Sequence, residues 1–227
     1  MHDKPIILLF IKAPLKGRIK SRLAAAIGND AALELYQRFV LDTIDTVGAL
    51  TLPVRICFYP PDAVAVIRTW LGNEQDCMPQ QGNDLGERME RAFEQVFQEG
   101  YERALLIGSD IPELSKAVML EAMAALDTND AVLGPAADGG YYLIGFTAKT
   151  FLPSVFHDIV WSTGTVCDET LGRFKRSGRR VHLLPKLHDV DTKEDLRVFF
   201  KKYRNAPEKA PRTLNYLIEQ EGTFFRP

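Results

Sequence analysis

Short runs of apolar residues alternate along the chain with longer segments in which apolar residues recur every three or four positions. The short runs have the length of β-strands, and the longer segments have the period of amphipathic helices. This alternation is typical of an α/β protein with a mainly parallel sheet. The predicted strands are 6–11, 54–58, 104–107, 131–133, 141–144 and 181–184.

The segments between these strands predict the helices that cover the sheet. In one of them Leu35, Phe39 and Val40 fall along a single helical face. The chain has no internal repeat and no flexible linker, so we expect one domain over residues 1–204. Prolines after residue 204 predict a C-terminal loop and short helix, within 205–227, that pack on this domain. The predicted helices are 31–47, 63–71, 85–97, 115–126, 165–177, 192–203 and 213–219.

Composition and charge limit the partners that the protein can have. With 46% hydrophobic and 26% charged residues, the chain has the composition of an ordinary soluble globular protein. Lys and Arg number 28 against 30 Asp and Glu, so no overall basic field attracts nucleic acid or anionic lipid. No stretch is long and apolar enough to span a membrane. The three cysteines show no disulfide or zinc pattern, which favours a reducing cytoplasm.

The first predicted strand is followed by a basic loop that contains no acidic residue. In open α/β sheets ligands bind beyond the carboxyl ends of the strands, where loop amides and cationic side chains suit a diphosphate. The alternative is a solvated basic turn. The loop is not a Walker A motif, because Ile19 stands where that motif requires glycine. The candidate phosphate-binding residues are Lys12, Ala13, Pro14, Gly17, Arg18, Lys20 and Arg22.

Carboxylates follow three later elements and are candidates for a metal site or for catalysis. Asp110 follows an interior strand, and Mg²⁺ or Mn²⁺ is typically held by one or two carboxylates plus substrate phosphates. Ser109, just before it, is a further candidate nucleotide-binding residue. Asp191 precedes a predicted helix and could complete that site. The competing interpretations are structural: a turn before Pro112, and a helix cap in which Asp191 pairs with Glu194.

A glycine-rich segment offers a third carboxylate beside a gap that a ligand could enter. Asp138 precedes Gly139 and Gly140, whose lack of side chains lets backbone approach a ligand, although a hairpin turn explains the sequence equally well. Further along, an aromatic and hydroxyls could form an acceptor wall, or simply be a buried Trp with helix-capping residues. The candidate acceptor-binding residues are Gly139, Gly140, Tyr141, Trp161 and Ser162.

Six segments in order carry a resemblance to a known superfamily: KAPLKGRIKSRL, QGNDLGERM, GSDIP, GPAADGGYYLIG, WST and DVDTKEDL. Together they resemble the glycosyltransferase-A-like nucleotide-diphospho-sugar transferases, and are most similar to the bacterial rSAM/selenodomain-associated transferases. The resemblance implies a single-domain three-layer α/β/α sandwich with a mainly parallel, mixed sheet. It also implies a nucleotide over the first half of the sheet and an acceptor over the second.

The resemblance also implies roles for individual residues. Lys12, Arg18, Lys20 and Arg22 match the superfamily's phosphate-binding loop, while Asp110 and Asp191 match its metal ligands. Gln81 and Gly82 fall where base or ribose is often contacted. The chain departs from the pattern at Gly108, where many glycosyltransferases have the first carboxylate of a DxD motif. Asp191 or Asp138 must then supplement Asp110.

The function implied is a transferase that needs Mg²⁺ or Mn²⁺ and uses a nucleotide-activated donor, most specifically a glycosyltransferase with a small-molecule acceptor. Asp110, Asp138 and Lys20 would be catalytic. Asp138 could deprotonate the acceptor, since a carboxylate in a glycine-lined crevice can be desolvated. One alternative is a nucleotidyltransferase that releases pyrophosphate from a nucleoside triphosphate. A second is a non-catalytic protein that binds nucleotide sugars.

Overall fold

A seven-stranded sheet forms the middle layer of the protein, of which the computed structural model describes residues 4–225. The strands lie in the order β3-β2-β1-β4-β6-β5-β7. Strand β6 is antiparallel to both of its neighbours, and all other pairs are parallel. The strands are β1 (Pro5–Lys12), β2 (Val54–Tyr59), β3 (Cys77–Pro79), β4 (Arg103–Ile107), β5 (Ala131–Pro135), β6 (Tyr141–Thr147) and β7 (Val181–Leu183).

Helices cover both faces of the sheet, which confirms the predicted three-layer sandwich. Two 3-10 turns, Pro153–Val155 and Pro207–Lys209, occur in the connections. None of the helices in residues 4–225 has the length and apolar character needed to cross a membrane. The helices are α1 (Ser21–Ile27), α2 (Asn29–Gly48), α3 (Val64–Leu71), α4 (Leu85–Gln98), α5 (Lys116–Ala125), α6 (Val166–Arg176), α7 (Lys193–Tyr203), α8 (Pro211–Glu219) and α9 (Glu221–Phe224).

Alternating side chains of the central strand β1 enter two different cores. Ile7 and Leu9 pack with residues of α2, α3 and α5, whereas Ile6 and Leu8 pack with residues of α4 and α6. All four are fully buried. Because both faces of the strand lie in an apolar core, its sequence is a continuous apolar run rather than an alternating one.

Two elements near the site carry no strong sequence signal. Strand β3 has three residues, is only partly buried and pairs at the edge of the sheet with β2. Helix α1 follows the basic loop and buries only Leu23 and Ala24. Both elements are short, and neither shows the repeated apolar pattern that predicted the longer strands and helices.

The C-terminal segment is attached to the domain through a carboxylate at the start of α8. Asp42 of α2 is 3% exposed, and its two oxygens accept the main-chain N–H groups of Arg212 and Thr213 at 2.9 Å each. These N–H groups belong to the first turn of α8, where no partner exists within the helix. Leu214 and Leu217 of α8 then pack against Leu35 and Phe39 of α2.

We expect Asp42→Ala to lower the free energy of unfolding by about 2 kcal/mol, because two main-chain N–H groups at a helix N-terminus, one of them buried, lose their acceptor. Urea denaturation followed by circular dichroism measures this change. The control is Asp45→Ala. Asp45 lies on α2, as Asp42 does, and forms an exposed ion pair with Arg212 of α8. We expect a loss below about 1 kcal/mol there. Equal losses in the two variants would contradict the capping role of Asp42.

Candidate functional site

The candidate site is a cavity of about 700 Å³ at the carboxyl ends of the parallel strands. Strands β1, β2 and β4 lead into its floor, and the segment before α7 closes one side. The loop after β5 and the segment before α6 form the opposite wall. The sequence-predicted residues that line this cavity are Lys12, Arg18, Lys20, Arg22, Ser109, Asp110, Asp138, Gly140, Tyr141, Trp161, Ser162 and Asp191.

Lys20 holds three distant segments of the chain together inside this cavity. Its ammonium lies 2.7 Å from Asp110 Oδ1 and 2.6 Å from Asp191 Oδ1, and its side chain is only 4% exposed. The residue has a left-handed backbone with φ of 48°, immediately before α1. A non-glycine residue rarely takes that conformation. The two ion pairs therefore form in a backbone arrangement that the local sequence does not favour.

Asp191 is free to bind Lys20 because its neighbours cap the following helix. The alternative in which Asp191 caps the helix with Glu194 is wrong: Thr192 is the N-cap of α7 and forms a reciprocal capping box with Asp195. Asp191 instead uses its second oxygen to accept from Arg22 Nη2 at 2.6 Å. The neighbouring Val190 N–H donates to the Asp110 carbonyl at 3.0 Å, which joins the two acidic segments.

The charges in this cluster shift the pKa values of its members in opposite directions. Burial alone would raise the pKa of Asp191, but the charges of Lys20 and Arg22 hold that pKa below its ordinary value. Burial alone would lower the pKa of Lys20, but Asp110 and Asp191 raise it above its ordinary value. Both groups are therefore charged over a wide range around neutral pH.

The remaining residues of the basic loop divide into those inside and those outside the cavity. Lys12, Arg18 and Arg22 are exposed side chains on its lining. Ala13 is buried in the core, Pro14 is half-buried, and neither lines the cavity. Gly17 has φ of 77°, and a Cβ atom there would have no neighbour within 4 Å, so this glycine shapes the turn rather than the cavity wall.

The second wall is the hairpin between β5 and β6, so the hairpin interpretation of the glycine-rich segment is confirmed. Gly139 has φ of 90°, and a Cβ atom there would lie 2.1 Å from the Gly164 carbonyl oxygen. Only glycine fits this contact, which seats the segment before α6 on the hairpin. The Tyr141 and Trp161 rings meet edge to face at 6.4 Å.

Asp138 occupies the tip of this hairpin and differs from expectation in its exposure. Its Oδ1 accepts the Gly140 N–H at 2.8 Å. The predicted desolvation is wrong, because the residue is exposed on the cavity rim, where the short hairpin leaves one side open. The half-buried carboxyl on this side is Asp189, whose pKa is raised by burial and by the nearby charge of Asp138.

Other lining residues carried no strong sequence signal. Gln80 is 5% exposed, and its Nε2 donates to the Cys57 carbonyl at 2.8 Å and to the Ile11 carbonyl at 3.3 Å. Arg88 stacks on the Tyr59 ring, with 4.4 Å between its Cζ atom and the ring centroid.

Two residues that the sequence suggested for the base or ribose do not line this cavity. Gln81 lines a separate groove beside it, and Gly82 packs against the first turns of α4.

A divalent cation fits this cavity at Asp110 better than at Asp191. Asp110 is 54% exposed, and only its Oδ1 has a partner among the described residues. Both oxygens of Asp191 are bound to Lys20 and Arg22. Across residues 4–225 no three His, Cys, Asp or Glu side chains are grouped to hold a metal. The available carboxylate of Asp110 therefore suits an ion that is held by one carboxylate together with substrate phosphates.

Comparison with known proteins agrees with this architecture. The crystal structure of a protein from Desulfovibrio desulfuricans G20, described as a "putative nucleotide-diphospho-sugar transferase", is 38% identical, with a TM-score of 0.94 over 98% of this chain and 97% of that one. Fold and site thus define a member of the nucleotide-diphospho-sugar transferase superfamily. Within it, the chain belongs to the family described as "Uncharacterized protein conserved in bacteria (DUF2064)", whose model matches residues 43–163.

More distant structures share the fold alone. The 4-diphosphocytidyl-2C-methyl-D-erythritol synthase of Anaerococcus prevotii DSM 20548 is 15% identical, with a TM-score of 0.56 over 89% of this chain and 97% of that one. The inositol-1-phosphate CTP transferase of T. maritima is 14% identical, with a TM-score of 0.54 over 93% and 97%. No curated protein matches the sequence.

We expect Lys20→Met to lower the free energy of unfolding by about 2–3 kcal/mol at pH 7, because two carboxylates lose their shared counter-ion while Asp110 stays partly solvated. Since the pKa of Asp191 is depressed in the folded protein, wild type keeps this stability above about pH 4. The difference between variant and wild type should shrink as the pH falls from 7 towards 4, because burial without the Lys20 charge favours the protonated form of Asp191 in the variant.

Urea unfolding of both proteins between pH 4.5 and 8 measures this dependence. Lys16→Met serves as the control, since Lys16 lies in the same loop but pairs with Asp30 in solvent. We expect a change below about 0.5 kcal/mol there. A Lys20→Met deficit that stays constant over this pH range would contradict the electrostatic origin of the effect.

Proposed function

We propose that the protein is a glycosyltransferase that moves a sugar from a nucleotide-diphospho-sugar to a small-molecule acceptor. We further propose that it belongs with the rSAM/selenodomain-associated transferases and acts in the cytoplasm. The observation that carries the proposal is the convergence of Lys12, Arg18, Lys20 and Arg22 with Asp110 on a single cavity. In a chain whose net charge is −2, such a local concentration of cations favours a phosphate ligand.

The basic residues would bind the donor diphosphate and stabilise it as it leaves. Lys12, Arg18 and Arg22 are exposed within the cavity, so their N–H groups can reach phosphate oxygens directly. Lys20 is already fixed between two carboxylates and needs no reorganisation when charge develops on the leaving group. The expected catalysis is therefore mainly positioning and electrostatic stabilisation.

Asp110 would hold Mg²⁺ or Mn²⁺ against the same diphosphate, with Asp191 close by. The ion would supply positive charge to the leaving group. Asp191 contributes indirectly, because it fixes the ammonium of Lys20 and the guanidinium of Arg22. Ser109 is buried between the end of β4 and Asp110. Its burial fixes the position of the neighbouring Asp110.

The hairpin wall would bind the acceptor. Asp138 is the candidate base for its hydroxyl group, since an exposed carboxylate on the rim loses water only when an acceptor covers it. Gly140 lines the cavity beside this carboxylate, and Tyr141, Trp161 and Ser162 form the adjoining surface. Gly139 packs against Gly164 instead of lining the cavity. Aromatic faces next to hydroxyls suit a ligand with both apolar and polar edges.

Two competing functions give different results with the same set of substrates. A nucleotidyltransferase would release pyrophosphate from a nucleoside triphosphate and an acceptor phosphate. A non-catalytic binding protein would bind nucleotide sugars with no turnover. Screening UDP-sugars, GDP-sugars and nucleoside triphosphates for thermal stabilisation, with and without Mg²⁺ or Mn²⁺, selects candidate donors, because ligands that bind the native state raise its apparent stability. Turnover assays on these donors then separate the three functions.

We expect Asp110→Asn to reduce turnover of the selected nucleotide sugar at least about 100-fold and to abolish the metal dependence of nucleotide binding. The variant should stay folded, because Asp191 still pairs with the Lys20 ammonium and the asparagine oxygen can still accept a hydrogen bond from it. Asp127→Asn, which alters an exposed carboxylate paired with Arg103 at the amino end of β4, is the control. Full activity in the Asp110 variant would refute the metal-binding role.

We expect Asp138→Asn to lower kcat about 10²–10⁴-fold while the donor Kd stays within about threefold, because a general base acts on the acceptor only. Isothermal titration measures donor binding, and a steady-state assay measures turnover. A variant with normal kcat would show that another group takes the proton. A variant with weakened donor binding would move Asp138 from the acceptor half to the donor half.

A further inference from the structure

One corner of the cavity combines an unpaired guanidinium with a fixed amide. Arg88 is half-buried on α4, and its Nε has no solvent contact and no hydrogen-bond partner among residues 4–225. No other donor of its side chain has a partner in this part of the chain, although a guanidinium carries five N–H donors. The guanidinium stacks on Tyr59, so one of its faces is held in place.

Gln80 supplies the opposite hydrogen-bonding character beside it. Its Nε2 donates to two main-chain carbonyls, those of Ile11 and Cys57, at the ends of β1 and β2. These two bonds fix the orientation of the amide, so Oε1 remains as the acceptor of a side chain that lines the cavity. Phe10, Leu85 and Met89 form an apolar surface around this corner.

The N–H groups of Arg88 lie beside the fixed Oε1 acceptor of Gln80, next to the Tyr59 ring and apolar side chains. This combination suits a nucleobase. Tyr59 ends β2 and Gln80 follows β3, one and two strands away from β1. Neighbouring strands are about 4.8 Å apart, which puts the corner roughly 5–10 Å from the phosphate-binding loop. That separation suits the base of a nucleotide whose diphosphate lies at Lys12 and Lys20.

We propose that Arg88 and Gln80 select the base of the donor nucleotide, taking one that presents two adjacent acceptors followed by a donor. Guanine offers N7, O6 and N1–H in that order, and cytosine offers O2, N3 and N4–H. Adenine and uracil have no two adjacent acceptors on any edge, so they cannot satisfy both N–H groups of a bidentate guanidinium. This inference rests on the proposed function, because it assumes that a nucleotide occupies the cavity.

The test is isothermal titration of GDP, CDP, UDP and ADP into the full chain with Mg²⁺ present. We expect wild type to bind GDP or CDP at least about tenfold more tightly than UDP and ADP. Arg88→Met should lose that preference, with the favoured diphosphate weakened at least tenfold and UDP and ADP changed less than threefold. Arg88→Lys keeps the charge but not the planar fork, so it should also lose the preference.

Arg91→Met is the matched control, because Arg91 lies one turn further along α4 and pairs with Glu87 outside this cavity. It should keep the wild-type preference. If GDP is favoured, 7-deaza-GDP, which lacks the N7 acceptor, should bind wild type more weakly than GDP but bind Arg88→Met as GDP does. If CDP is favoured, the base is cytosine.

Equal affinities of wild type for the four diphosphates would overturn this inference and leave the proposed function standing. An equal loss of affinity for all four diphosphates in Arg88→Met would also overturn it, since that result would show that Arg88 does not distinguish one base from another. If none of the four binds wild type, both the inference and the proposed function fail.

Discussion

The ammonium of Lys20 is the constraint on which the rest of the site depends. It joins residues 20, 110 and 191, which come from the loop after β1, the segment after β4 and the approach to α7. A buried cation is stable only when charge and hydrogen bonds surround it, so neither carboxylate can move away without a large cost in free energy. A single side chain thus holds both acidic segments at the cavity and places a positive charge between their carboxylates.

Much of the architecture could be predicted from the sequence, because buried strands and amphipathic helices leave periodic patterns. Each of the six predicted strands overlaps an observed one, and the basic loop and Asp110 both follow interior strands as expected. Strand β3 could not be predicted in this way, since three half-buried residues at a sheet edge carry no pattern. The antiparallel direction of β6 was likewise not specified by its apolar run.

The site was harder to predict where tertiary contacts decide the chemistry. The spacing of Asp191 and Glu194 suited a cap, yet Thr192 and Asp195 cap α7 and release Asp191 for Lys20. The exposure of Asp138 depends on how far the hairpin projects, which its glycines do not reveal. Arg88 lies in a helix with many other charged residues, and only its stacking on Tyr59 and its lack of partners among residues 4–225 distinguish it from Arg91.

The reversed direction of β6 has a consequence for how the molecule can diversify. Because β6 runs antiparallel to β5, a single tight connection brings Asp138 and Tyr141 to the same rim as the ends of the parallel strands. That connection and the segment seated on Gly139 share none of the residues that bind the Lys20 ammonium. Changes in length or sequence there can alter one half of the crevice and leave the other intact, so relatives can diverge at the hairpin while the charged cluster around Lys20 stays unchanged.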